Sequence, residues 1–279
     1  MILVDMNQIS LASLMMHLHM NKGELDEEMV RHMILNSVRM YRTMFNEKYG
    51  ELILTYDSRA YWRKEIFPQY KANRKKNRES DGKDWNSIFA VLNQIKDEIK
   101  EFLPYKVVET YGAEADDVIA ILCKHYQSEK IMIVSGDKDF IQLHNEYVKQ
   151  YNPVLNKFVG KGENPSLYIK EHILKGDRSD GIPNVLSDDN VFIEGRRQRP
   201  LSKKKINSWV EEVFMTFTEE EQKNYNRNRK LIDLNCIPQE LEDKINNEFL
   251  NVEVASRDKI LNYFITKKLK TLIEVIDEF

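Results

Sequence analysis

The chain has 279 residues, 42% hydrophobic and 31% charged, enough for one large or two modest domains with true cores. A net charge of −3 excludes a globally basic nucleic-acid binder, so any such surface must be a local patch. The two cysteines, Cys123 and Cys236, lie far apart in no metal-like spacing, which suits a reduced cytoplasmic protein. No apolar run is long enough to span a membrane, and the apolar start "MILV" meets Asp5 at once, unlike a signal peptide.

Taken in chain order, "MILVD" reads as a strand, with a helix to about residue 20. Residues 26–47 predict a helix capped by Asp26, with Glu27 and Glu28 in its first turn. Its apolar stripe is Val30, Met33, Ile34, Val38, Tyr41 and Phe45. "ELILTYD" is a buried strand, and 58–84 is polar and basic. A helix over 85–103 carries Trp85, Phe89, Leu92, Ile95, Ile99 and Phe102 on one face. "YKVVET" is a strand, 113–126 a helix, and "KIMIVSGDKDF" a strand running into a turn. From about 165 only helical patterns follow. The fold class expected is α/β: a central, mainly parallel sheet flanked by helices, with an all-helical C-terminal domain.

Acids stand where these strands end. They are Asp5, then Asp57, then Glu114, Asp116 and Asp117, then Asp137 and Asp139. Open α/β sheets form their sites outside the carboxyl ends of the strands, so four strands deliver acids to one edge. Two carboxylates about 5 Å apart repel by roughly 3 kcal/mol at an effective dielectric of 20. Such a cluster must take up protons or recruit cations. An all-oxygen ligand set favours Mg²⁺ or Mn²⁺ over zinc, and a pair of such ions is the usual apparatus for breaking a phosphodiester.

The segment 59–83 supplies a substrate class. Nine basic residues, among them Arg63, Lys71, Arg74, Lys75 and Lys76, face three acids, and Tyr61, Trp62, Phe67 and Tyr70 lie between them. Basic side chains neutralise phosphates, and aromatic faces stack on unpaired bases. A second patch, "RRQRPLSKKK", contributes Arg196, Arg197, Arg199, Lys203, Lys204 and Lys205 with no acid among them.

"YGAEADDVIA", "VSGDKDFIQL", "YKANRKK" and "ILKGDRSDGIPNV" together resemble the 5′ nuclease superfamily of flap endonucleases and 5′→3′ exonucleases. Within it the likeness is to the T-even phage ribonuclease H group, and it covers essentially the whole chain. The resemblance implies a metal-dependent nuclease that acts near the 5′ end of RNA or DNA annealed to a template, with a role in removing RNA primers during phage replication. Two Mg²⁺ ions, replaceable by Mn²⁺, would sit among Asp5, Asp57, Glu114, Asp116, Asp137 and Asp139, with Asp117 close by. Asp177 and Asp180 of "GDRSD" would complete the second ion's surroundings. Lys71 and Arg74 match residues that hold the scissile phosphate, with Arg63 and Tyr70 beside them. Residues 1–184 would then be the nuclease core, with 58–84 as its basic arch, and 185–279 a helical duplex-binding domain. The partners implied are branched or primed duplex DNA and RNA–DNA hybrid, a single-strand-binding protein and a sliding clamp, with the enzyme a monomer that meets no membrane.

The sequence departs from the family pattern after "GDRSD". Gly181 and Asn184 replace an Asn and a Gly, and the "GIGxKTA" loop that grips duplex phosphates is absent, so the 196–205 patch is expected to take over that grip. The terminal "TLIEVIDEF" reads as a last packed helix rather than a clamp-docking peptide. His17 and His19, two apart on a helix, face different sides, and His32, His125, His144 and His172 are scattered with no catalytic role. Trp209 and Phe214 are expected to pack the C-terminal helices. Two other readings share these features: a PIN-type metal-dependent ribonuclease, and a non-catalytic module for branched nucleic acid. The first would be shorter and lack the basic arch; the second would have broken carboxylate positions.

Overall fold

The protein is described by a computed structural model, over residues 1–160, 162–211 and 216–279. Four short apolar segments form the parallel heart of a six-stranded sheet. They are β1 (Ile2–Asp5), β2 (Leu52–Thr55), β3 (Lys106–Val108) and β4 (Ile131–Val134). Two further strands, β5 (Val148–Asn152) and β6 (Lys157–Phe158), extend it on one side. The order is β3-β2-β1-β4-β5-β6, parallel throughout except for the antiparallel β5–β6 pair. β5 is not legible as a strand in the sequence, because its buried positions include Gln150 alongside Val148 and Tyr151.

Side chains alternate across the sheet with the two-residue period of a strand. Ile2, Val4, Leu52, Leu54, Met132 and Val134 enter one core; Leu3, Ile53, Ile131 and Ile133 enter the other. The first core is covered by α1 (Met6–Met20), α2 (Glu27–Tyr49) and, further along the chain, the helix Trp85–Phe102. Asp26 caps α2 by accepting from the N–H groups of Glu28 and Met29, as its sequence predicts.

The segment 58–84 divides in two. Its first half holds the one-turn α3 (Arg63–Ile66) and buries Trp62, Arg63, Phe67 and Tyr70. Its second half is α4 (Ala72–Ser80), which has no buried residue. The helix Trp85–Phe102 that follows is α5. The second core is covered by α6 (Ala115–His125), which follows β3. The C-terminal half comprises α7 (Pro165–Lys175), α8 (Lys203–Glu211), α9 (Glu219–Ile232), α10 (Gln239–Asn251), α11 (Lys259–Thr266) and α12 (Lys270–Ile273). Leu241, Ile245 and Phe249 of α10 pack in the second sheet core. Ile260 and Phe264 of α11 and the terminal Phe279 pack in the first. The C-terminus is thus packed, as the sequence suggests, with Phe279 fully buried against Phe264. Trp209 is buried beside Phe217, whereas Phe214 lies outside the described residues. No helix among the described residues is long and apolar enough to cross a membrane.

Candidate metal centre and nucleic-acid interface

β1 sits where the strand order reverses, with β2 on one side and β4 on the other. That switch point opens a crevice at the carboxyl ends of the strands. Asp5 ends β1 and caps α1 by accepting from the Gln8 N–H at 3.1 Å. The Ser135 hydroxyl, just past β4, donates to its other oxygen at 2.9 Å. Asp57, two residues past β2, accepts from the Ala115 N–H at 2.8 Å. Asp137 accepts from the Asp139 N–H at 2.9 Å and opens the 3₁₀ turn Lys138–Leu143. The Asp116 carboxylate has no hydrogen-bond or ion-pair partner among the described residues.

These four acids are poorly compensated. Burial pushes the Asp57 carboxyl up to about 6 against the pull of Lys71. Burial, then the neighbouring Asp139, pushes Asp137 up to about 7. Burial likewise raises Asp5, and burial with the charge of Asp137 raises Asp116. Carboxylates held this far above their usual range lack cations, and oxygen ligands at the mouth of a crevice suit a hard divalent ion. The residues present therefore fit the divalent metals expected from the sequence.

Two other acids of the cluster, and Asp180 from the far loop, already have their cations. Glu114 accepts from Arg63 at 2.8 Å and from the Tyr70 hydroxyl at 2.9 Å, and also pairs with Lys71. Asp180 accepts from Tyr70 at 3.0 Å and pairs with Arg74 at 2.5 Å and Lys71 at 3.5 Å. Burial alone would raise the Asp180 carboxyl, but Lys71 and Arg74 outweigh it and hold it below its ordinary value. Asp117, fully buried, pairs with Arg63 at 2.8 Å, accepts from the Trp62 indole at 3.1 Å and caps the Glu114 N–H at 2.9 Å.

Two sequence expectations are corrected here, whereas Asp117 stays beside the cluster, fully buried, as a helix-capping ion-pair partner of Arg63. Arg63 and Tyr70, each 3% exposed, are walled in by those acids and cannot reach nucleic acid. They clamp α6 to the 58–70 segment instead. Lys71 and Arg74 do stand over the acids, Lys71 in a left-handed conformation (φ 56°) at the start of α4. Lys75 and Lys76 are exposed along α4.

A histidine escapes the sequence reading. His172 in the last turn of α7 puts Nε2 3.1 Å from the Asp139 carboxylate and 3.9 Å from that of Asp177. One candidate ligand atom from each of the three lies within 4.8 Å of the others, and no other such trio occurs among the described residues. Burial works against a charged ring, but Asp139 and Asp177 outweigh it and hold the imidazolium above its ordinary value. Sequence spacing could not find this residue. It is carried to the site by α7, a helix that packs on the 3₁₀ turn after Asp137.

The loop bearing Asp177 and Asp180 is tightly made. Asp177 accepts from the N–H and hydroxyl of Ser179, both at 2.7 Å. At Gly176 (φ +66°) a Cβ would lie 2.4 Å from the Ile182 carbonyl oxygen. At Gly181 (φ +75°) a Cβ would lie 3.2 Å from the Gln69 carbonyl oxygen, and beside it the Lys71 N–H donates to the Asp180 carbonyl at 2.8 Å. Asn184 is buried and holds the departing loop. It donates to the Arg199 carbonyl at 2.9 Å and accepts from the Leu186 N–H and the Ser187 hydroxyl. Gln150 on β5, another residue the sequence did not announce, donates to the carbonyls of Ser135 and Asp137 and fixes the turn that carries Asp137.

The patch after 195 is partly neutralised at home. Arg196 pairs with Asp188 and Glu194, Arg199 lies within 4.0 Å of Asp188 and Glu220, and Lys205 pairs with Glu221. Arg197, Lys203 and Lys204 are exposed with no ion pair among the described residues. The α5 stripe is also corrected: Ile88, Ile95 and Ile99 are buried, but Phe89 is 41% exposed. Arg78 of α4 lies over Trp85 and Phe89 at 5.9 and 5.6 Å. Together with Asp57, Arg59 and Arg74 they line a groove of about 600 Å³.

The comparisons with known proteins agree with this arrangement. Residues 1–173 match the family described as 5′-3′ exonuclease, N-terminal resolvase-like domain, and residues 163–279 match T4 RNase H, C terminal. The chain is 34% identical to the ribonuclease H of Enterobacteria phage T4 over 99% of its own length and 95% of that protein's. It is 30% identical to a 5′-3′ exonuclease of Buchnera aphidicola over 54% of each chain. The bacteriophage T5 flap endonuclease, solved in a pseudo-enzyme-product complex with DNA and metal ions, shares the fold. Its TM-score is 0.65 at 15% identity, over 90% of this chain and 98% of that one. With an acid-lined crevice at the sheet edge and a match that runs the whole length, the chain belongs to the 5′-3′ exonuclease family, in its T4 ribonuclease H group.

Proposed function

We propose that the protein is a structure-specific 5′ nuclease that hydrolyses phosphodiester bonds near the 5′ end of RNA or DNA annealed to a template. Both exonucleolytic removal of RNA primers and cleavage of 5′ flaps are within this reading. One observation carries it: uncompensated acids from four strand ends lie directly under a basic helix that buries none of its residues. A nine-residue helix without a buried face has little reason to be stable alone. Its cations find their use on phosphates.

Two divalent ions, Mg²⁺ or Mn²⁺, would be held by Asp5, Asp57, Asp116 and Asp137 on one side and Asp139 and Asp177 on the other. When bound, such ions activate water and stabilise charge on the leaving oxygen. The chain's own part is an exchange of partners. Lys71 and Arg74 lie on Glu114 and Asp180, and a phosphate entering the crevice offers them a second anion. With Lys71 and Arg74 turned to the phosphate, Glu114 would keep Arg63 and the Tyr70 hydroxyl, and Asp180 would keep the Tyr70 hydroxyl. Both cations then stabilise charge that develops on the phosphoryl oxygens. Arg63 stays buried and keeps Glu114 and Asp117 in place. The groove past Asp57 suits an unpaired strand, with Trp85 and Phe89 as stacking faces and Arg59 and Arg78 as phosphate partners. Arg197, Lys203 and Lys204 would grip the duplex from the 185–279 side. A monomer acting with a single-strand-binding protein and a sliding clamp, in the cytoplasm of an infected host, fits this role.

The test uses a 5′-flap duplex and an RNA-primed duplex, each with and without Mg²⁺. Cleavage near the junction, dependent on the ion and leaving a 5′ phosphate, is expected. Asp137→Asn and Asp116→Asn should each abolish cutting while binding stays within a few-fold, since the cations that meet the phosphates remain. Wild-type rates in either variant would refute the ligand assignment.

A further inference from the structure

The triad of Asp139, His172 and Asp177 differs in kind from the rest of the site. Asp139 comes from the turn after β4, Asp177 from the loop after α7, and His172 from the last turn of α7 itself. The imidazole is held in place by stacking on Tyr168 one turn earlier, with ring centroids 5.7 Å apart and planes 22° from parallel. Its Nε2 is shielded from solvent and makes no aligned hydrogen bond, although both carboxylates are near. A ring nitrogen fixed, shielded and unaligned between two acids is placed as a ligand is placed.

We infer that His172 is a metal ligand, so that one of the two ion positions is a mixed nitrogen–oxygen site selecting a transition-metal divalent ion over Mg²⁺. This rests on the reading that the acid cluster holds divalent ions. Mg²⁺ prefers an all-oxygen shell and gains little from imidazole, whereas affinity for imidazole-containing sites rises from Mn²⁺ through Co²⁺. The four acids on the other side offer only oxygen, so the two positions would differ in preference: one for Mg²⁺, one for Mn²⁺ or a later ion. His172→Gln should remove the distinction and leave an all-oxygen pair.

The experiment uses the full chain, stripped of metal and loaded with Mn²⁺ alone. Pulsed electron–nuclear measurements should show a directly bonded ¹⁴N in the wild type and none in His172→Gln. Calorimetric titration should show Mn²⁺ affinity at one site falling about tenfold or more in the variant, with Mg²⁺ affinity within about threefold. The retained Mg²⁺ binding doubles as a check that the variant is folded. Should it not fold, wild-type protein labelled with ¹⁵N-histidine carries the test, because the nitrogen coupling must then change to the ¹⁵N pattern. Stoichiometric Mn²⁺ binding without nitrogen coupling would overturn the assignment of His172 and leave the nuclease reading standing. Equal weakening of Mn²⁺ and Mg²⁺ would overturn it too, reducing His172 to a residue that positions Asp139 and Asp177. If no divalent ion binds at all, the nuclease reading falls with it.

Discussion

Lys71 and Arg63 are eight positions apart in one basic segment, yet the structure gives them opposite work. Lys71 is at the rim: its side chain, 10% exposed, bridges Glu114 and Asp180 and can leave them for a phosphate. Lys71→Ala should therefore slow cleavage far more than it weakens duplex affinity, because one cation among many that meet phosphates adds little to binding. Single-turnover rates set against Kd decide the matter; an unchanged rate with weaker binding would make Lys71 peripheral to the chemistry. Arg63 has no such freedom. It is enclosed by Asp117, Glu114 and the Leu231 carbonyl, to which it donates at 2.8 Å. Arg63→Ala leaves Asp117 buried without its cation and Glu114 with Lys71 alone, a loss of about 3–5 kcal/mol. Its urea midpoint should drop sharply. A variant as stable as the wild type, but poor at binding DNA, would restore Arg63 to the interface.

Between elements, a second ion cluster ties the C-terminal helices to the sheet layer. Glu98 of α5 accepts from Arg31 of α2 at 2.6 Å and from the Tyr263 hydroxyl of α11 at 2.8 Å, and pairs with Lys267 at 2.6 Å. Burial would raise its carboxyl, but Arg31 and Lys267 outweigh that and hold it down to about 2. A depressed folded-state pKa means stability that is present above the unfolded value and lost as pH falls through the folded one. Discounted for the cost of burying the ion cluster, roughly 2 kcal/mol should thus disappear between about pH 5 and pH 2. Glu98→Gln should be less stable than the wild type at pH 7 and show a flatter decline over that window. Parallel acid-denaturation curves for the two proteins would remove Glu98 from the account. The irregular stretch after Pro183 is held in a different way, by amides. Asn228 of α9, fully buried, donates to the carbonyls of Ile173 and Pro183, both at 2.8 Å.

For the molecule as a whole, charge is sorted rather than spread. The net of −3 hides an acidic crevice beneath α4 and a separate cationic edge at Arg197, Lys203 and Lys204. Neutralising those three should weaken binding to duplex and lower the log–log salt slope by up to about 0.9 for each phosphate left without its cation. Neutralising Arg196, Arg199 and Lys205 should change the slope less, since each already faces an acid. Equal effects from the two sets, or equal weakening on single-stranded DNA, would mean a general attraction with no dedicated grip.

The central strands, the capped helices and the march of acids along strand ends were legible because their causes are local. A buried parallel strand needs an unbroken apolar run, an N-cap needs an Asp, and a sheet's carboxyl edge follows from chain direction. The sequence alone therefore determined the α/β class and the gathering of acids past the ends of the central strands. It could not determine which acids already have cations. Glu114, Asp116 and Asp117 are near neighbours in sequence, but only Asp116 among them is left without a partner in the described residues, because Arg63, Tyr70 and Lys71 arrive from a segment more than forty residues earlier. Nor could it place His172, which reads as a scattered histidine until α7 packs against the turn after β4. Polar groups reveal their roles through neighbours distant in sequence, and only the packed fold brings those neighbours together.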